Sequence, residues 1–128
     1  EARVPEFIDL IVSQWQTETE RSVILNGLDK LNQHCLAQYN SHFLECETQQ
    51  QEAALSDFEL LAKQEIAKGS AEEENSKTFF YALRELVVVG FFTSHVGATQ
   101  ALKHVHVAGA YIGDYPTAKA GRAWSPIY

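Results

Sequence analysis

A chain of 128 residues is one domain's worth, and its hydrophobic content of 45% and charged content of 21% are ordinary for a soluble globular protein. A net charge of −7 argues against nucleic acid as a partner, because phosphate binding needs clustered Lys and Arg. The charge is also uneven, with 15 acids against 5 bases over residues 1 to 74 and 2 against 5 over residues 75 to 128. Nine of the fourteen aromatics and five of the seven glycines lie from Phe79 onward, so a solvated acidic region precedes a near-neutral aromatic region suited to burial.

The chain starts at Glu1 and contains no methionine. Its N-terminus is therefore expected to come either from processing or from the choice of expressed segment; if from processing, removal of an export signal is the commonest cause. Pro5 suits the start of a helix, and Phe7, Ile8, Ile11, Val12 and Trp15 then share one face, which predicts a first helix over about 5 to 17. Ile24, Leu28, Leu31 and Cys35 step by four, three and four and predict a second over about 19 to 38. Asn40 and Ser41 mark a turn. Leu55, Phe58, Ala62 and Ile66, with Leu61 widening the stripe, predict a third helix over about 47 to 67. Residues 69 to 76, GSAEEENS, read as a solvated linker, with Gly69 as a helix stop and Ser76 as the cap of a fourth helix over about 77 to 93.

That fourth helix is apolar on most faces, which places it centrally or beneath a partner. Its run Val87-Val88-Val89 favours strand locally, so the helical reading rests on Ala82 to Leu86. Leu86 to Phe92 is apolar but far shorter than the roughly 18 residues a membrane span needs. A short fifth helix over about 95 to 104 follows, capped by Thr93 or Ser94. From Val105 onward no period persists. These 24 residues, with three glycines and two prolines, read as an extended tail whose Tyr111, Tyr115, Trp124 and Tyr128 argue against disorder. The expected fold is all-α, a small bundle of four to five helices with an extended irregular C-terminal tail. It forms a single domain over 1–128, divided into a helical segment spanning 1–104 and a tail spanning 105–128.

Cys35 and Cys46 are eleven residues apart and on one continuous helix would stand about 16 Å from each other. With a helix ending near Tyr39 and another starting near Cys46, both flank one turn. They then meet either as a disulfide, in an oxidising compartment, or as two buried free thiols. CxxC and CxxCH are absent, so neither a thioredoxin-type centre nor covalent haem attachment is expected.

No constellation carries catalytic chemistry. His104 and His106, with His95 upstream, lack the spacing of a metal motif and read as surface or interface histidines. Ser94 and Ser125 sit in no GxSxG-like turn, neither GxGxxG nor GxxxxGK occurs, and the paired carboxylates of the first half read as solvated helix faces. Arg84 and Glu85 interrupt the apolar helix; adjacent positions point about 100° apart, so each meets a partner elsewhere or both lie on one exposed strip.

The stretches LREL (Leu83 to Leu86), GFFTS (Gly90 to Ser94) and GAT (Gly97 to Thr99), the block from Gly109 to Pro116, and Ala123-Trp124 resemble the gluconate 2-dehydrogenase subunit 3 family. The opening PEFIDLIVSQW, Pro5 to Trp15, is similar to that family's N-terminal helix. The resemblance implies a non-catalytic small subunit of a periplasmic sugar dehydrogenase complex, exported with a removed twin-arginine signal. It also implies a large partner of the glucose-methanol-choline oxidoreductase type that holds the FAD, and in some complexes a cytochrome c subunit. No cofactor, metal or catalytic residue is expected in this chain itself. Asp114 stands where relatives often have cysteine or an uncharged residue, and the chain ends in an extended SPIY. The Asp114 difference removes the thiol through which that position could bond another subunit.

The residues expected at the partner interface are Phe91, Phe92, Thr93, Ser94, Gly97, Ala98, Tyr111, Gly113, Tyr115 and Trp124. Two phenylalanines end an apolar helix, Gly97 and Ala98 permit close backbone approach, and the tail aromatics have no core of their own, a low-charge aromatic composition that suits an interface core. A self-contained helical interaction module, or a homodimer through the same helix, is the alternative from another class.

Overall fold

In the computed structural model, residues 1–68, 78–104, 109 and 114–124 are described. The elements in chain order are α1 (Val4–Gln14), α2 (Glu18–Tyr39), a 3-10 turn (Phe43–Glu45), α3 (Thr48–Ala67), α4 (Phe79–Thr93), a π-helical turn (Gly97–Ala101) and α5 (Thr117–Ala120). The all-α class expected from the sequence holds, with no strand among the described residues. The tail differs from its expected extended form at α5, one helical turn after Pro116. The expected fifth helix is found only over a shorter span, as the π-helical turn within 95 to 104. Ser76 and Gly69, expected as cap and stop, lie outside the described residues.

The chain divides into two compact units, Leu10–Glu85 and Glu1–Asp9 with Leu86–Tyr128. The first is built on the α2–α3 pair. Thr17 begins α2 with a reciprocal cap: its hydroxyl accepts from Glu20 N–H at 3.3 Å, while its own N–H donates to the Glu20 carboxylate at 2.9 Å. Asn40 ends the helix in the left-handed conformation, φ 53°, with its N–H on Leu36 O. The 3-10 turn is then fixed from both helices, because Asn32 of α2 accepts from Phe43 N–H at 3.2 Å and Gln51 of α3 donates to Phe43 O at 2.8 Å. Arg21 reaches back to the end of α1 and donates to the carbonyls of Val12 (2.9 Å) and Ser13 (2.8 Å), which lack helical partners.

The core of this unit is made of small side chains. Leu31, Cys35, Cys46 and Ala54 are buried together, with Tyr39, Phe43, Leu55, Phe58 and Phe79 packed around them. Phe58 meets His34 and Phe79 edge to face, at 5.7 and 5.9 Å between ring centroids. His34 Nε2 also stands 3.2 Å from Asp57.

Each predicted stripe needs a correction. On α2 the buried positions are Ile24, Gly27, Leu31 and Cys35, whereas Leu28 is 40% exposed. Gly27 takes the place given to Leu28 because the Phe79 ring packs directly against it. On α3 Ala54 and Ala62 are buried while Leu61 and Ile66 are exposed, small residues letting the helix face inward where larger ones would hold it off. Trp15 lies one residue beyond the end of α1, where helical phase no longer directs it, and is 76% exposed. Arg84 and Glu85 are both exposed, as the second of their two readings required. Beside Arg84, the Glu59–Lys63 pair (2.9 Å) holds the Glu59 carboxyl below its ordinary range and raises Lys63, chiefly through their mutual hydrogen bond.

A Cβ added at Gly27 would stand 2.1 Å from Cγ and Cδ2 of Phe79 and 2.6 Å from its Cβ, atoms too near the backbone to swing away. Gly27→Ala is expected to cost about 1–3 kcal/mol by overpacking. Gly109→Ala, where an added methyl meets nothing within 4 Å, is the matched control. Superimposable thermal melts of the two variants would show that the Phe79 ring yields freely.

Candidate partner-binding surface

The C-terminal half of α4 is the apolar centre of the second unit. From Leu86 to Phe92 it has no charge, yet only Gly90 is buried. A helix turns about 100° per residue, so three consecutive valines cannot all face inward. Val87, Val88 and Val89 are each 42–44% exposed and Phe92 is 39% exposed. Val88 and Val89 precede Phe92 by four and three positions, so the three side chains form a continuous apolar strip facing solvent. On another side of the helix the Phe7 ring of α1 covers Gly90, where an added Cβ would stand 2.7 Å from Phe7 Cδ1.

The end of α4 is a closely bonded turn. Thr93 Oγ1 donates to Val89 O at 2.6 Å, satisfying a terminal carbonyl. Ser94 Oγ donates to Phe91 O (2.6 Å) and accepts from Gly97 N–H (3.0 Å), and Ser94 O accepts from Ala98 N–H at 2.8 Å. These bonds draw the chain back on itself so tightly that a Cβ at Gly97 would lie 1.9 Å from Phe91 O. The π-helical turn that follows closes when Leu102 N–H donates to Gly97 O at 2.9 Å.

The tail is fastened to the residues just after that turn. Lys103 N–H donates to Ala123 O at 2.7 Å in a one-residue parallel bridge between Lys103 and Trp124. The Lys103 ammonium stands 4.6 Å above the Trp124 ring, Tyr115 meets the same ring edge to face at 6.5 Å, and the Arg122 guanidinium donates to Gln100 O. Trp124 is nonetheless 47% exposed. Glu6 of α1 has its carboxyl held below the ordinary value, first by a backbone hydrogen bond and then by Arg3 at 3.3 Å.

The expected interface residues that fall among the described residues all lie in this unit, and they form two groups. Phe91 and Phe92 are paired at 5.2 Å, and Phe91 is joined through its carbonyl to Ser94 and Gly97, with Ala98 bonded to Ser94. Tyr115 and Trp124 form the second group, around Lys103. Tyr111 and Gly113 lie outside the described residues. The closeness that Gly97 permits is spent on Phe91 O of its own chain, and Gly97 is buried. The valines were not among the expected interface residues, although three β-branched apolar positions in succession on a helix already required some to be exposed. The tail's fastening by Lys103 and Arg122 had no sequence signal.

A sequence profile described as Gluconate 2-dehydrogenase subunit 3 matches residues 1–109. The chain therefore belongs to that family, as its sequence blocks suggested, and the family is named for a subunit of a dehydrogenase complex. Comparison with curated proteins finds no match, nor does comparison with solved structures.

Because the Ser94 and Gly97 contacts lie within the chain, their loss should register without any partner. Ser94→Ala removes one donor and one acceptor and is expected to cost about 1–3 kcal/mol. Gly97→Ala, whose methyl meets backbone, is expected to cost at least as much. Denaturant unfolding of the free chain measures both, and an unchanged midpoint for Gly97→Ala would mean that the turn relaxes.

Proposed function

We propose that this member of the gluconate 2-dehydrogenase subunit 3 family is the non-catalytic small subunit of an FAD-dependent sugar or polyol dehydrogenase. It binds, stabilises and assists export of a large flavoprotein of the glucose-methanol-choline type, which holds the FAD and the catalytic groups. The bacterial periplasm is the compartment, twin-arginine export the route, and a cytochrome c subunit a further member of some complexes. Family membership supports the assembly. The observation that carries the docking site is the bare apolar strip of Val88, Val89 and Phe92 on the second unit. Covering it removes apolar surface from water, and the exposed Arg84 and Glu85, one turn before Val88, place charge at its edge, the pattern of an apolar interface core with a polar rim. Trp124, half-exposed but braced by Lys103 and Tyr115, supplies a rigid aromatic beside a polar rim.

Co-expression with a large flavoprotein of the glucose-methanol-choline type tests this reading. Phe92→Ala together with Val88→Asp is expected to weaken assembly by about 2 kcal/mol or more, roughly 30-fold in affinity. The melting temperature of the free chain is measured alongside, because Phe92 also packs on Phe91, and the loss of affinity is expected to exceed any loss of stability. Full co-purification of the flavoprotein with this variant would place docking elsewhere, and a homodimer as the sole assembly of the native chain would overturn the subunit role.

Purified away from its partner, the chain is expected to carry no flavin and to support no sugar-dependent dye reduction. Absorbance in the near-ultraviolet and blue, where flavins absorb, and a dye assay check this; turnover by the partner-free chain would refute a non-catalytic role.

A further inference from the structure

The two cysteines are used by nothing in the proposed function. Cys35 lies on the inward face of α2, one turn before its end, and Cys46 closes the 3-10 turn, one residue before Glu47, the N-cap of α3. Both are free thiols, 0% and 7% exposed, in one cluster with Leu31 and Ala54. Burial first, and then Cys46 in the same cluster, push the Cys35 thiol up from its ordinary value. Cys46 Sγ also lies 3.8 Å from Ser41 O, within the same connection. The chain has no third cysteine, so these two have only each other within one molecule.

We propose that Cys35 and Cys46 are a reduced pair placed to form a disulfide that ties the end of α2 to the start of α3. The oxidant is a disulfide, either of a small thiol such as glutathione or of a thiol-oxidising protein. A thiolate from one cysteine attacks the oxidant's S–S bond and releases one of its sulfurs as a thiol. The second cysteine then attacks the mixed disulfide and releases the other. Two S–H protons and two electrons leave the chain, and the oxidant's disulfide becomes two thiols. Because both sulfurs are buried and Cys35 favours its protonated form, exchange proceeds before the core closes or when the 40–47 connection opens. The bond closes a short loop, so it restricts the unfolded chain and stabilises the hairpin.

The full chain is unfolded, then refolded and equilibrated in a mixture of oxidised and reduced glutathione. Thiols are next counted in denaturant without reductant, and the mass is measured. The expected product is a monomer with no free thiol and a mass lower by two hydrogens. Its melting temperature should fall by about 5 °C or more on adding reductant. Cys35→Ala with Cys46→Ala is expected to show no such response. Two persisting thiols, a glutathione adduct on either cysteine, or a disulfide-linked dimer would each overturn the pairing. None of these outcomes bears on docking to the flavoprotein.

Discussion

Contact between an aromatic ring or a backbone carbonyl and a residue without a side chain is the interaction on which both units depend. In the first unit Phe79 sits on Gly27, and in the second Phe7 sits on Gly90 while Phe91 O sits against Gly97. Each contact brings two segments closer than any Cβ would allow, and each stops a large residue from needing a deep cavity. The core is correspondingly slight: among the described residues its buried hydrophobic positions are Ile24, Leu31, Cys35, Cys46, Ala54 and Ala62. Such a core holds helices in register, but it buries little area per residue and leaves large apolar side chains near the surface. Scattered exposed leucines on α2 and α3 are ordinary. The Val88, Val89 and Phe92 strip differs because its members adjoin one another on an uncharged stretch of helix from Leu86 to Phe92.

Charge separates the units as clearly as packing does. Residues 10–85 contain 13 acids and 6 bases, whereas 1–9 with 86–128 contain 4 of each. The acidic excess therefore lies on the α2–α3 unit, where capping, the Glu59–Lys63 pair and solvent accommodate it. The neutral unit carries the bare strip and the braced tryptophan.

Helix positions were readable because apolar spacing and turn chemistry stand in the sequence. The bounds near 19–38 and 47–67 followed from apolar spacing and the Asn40 turn, whereas the Thr17–Glu20 box that starts α2 was not among the expected signals. The inward faces were read less well for one physical reason: hydrophobic periodicity counts side chains, and here the decisive positions are Gly27, Ala54 and Ala62, which have little or none. The Val87-Val88-Val89 run, by contrast, was read correctly as helix. Its β-propensity pulled toward strand, yet one face of α4 is secured by Gly90 and the helix persists through it. The clasp of Lys103 and Arg122 on the tail joins residues about twenty positions apart, beyond any local pattern.

The sequence blocks by which the family is recognised acquire a physical meaning from this geometry. Gly90, Ser94 and Gly97 belong to those blocks, and each has its contacts within the chain: a phenylalanine ring, two hydrogen bonds and a carbonyl oxygen. They specify the scaffold. Val87 to Val89, just before Gly90, are 42–44% exposed, while Phe92, within the same block as Gly90, is 39% exposed and packs on Phe91 at 5.2 Å.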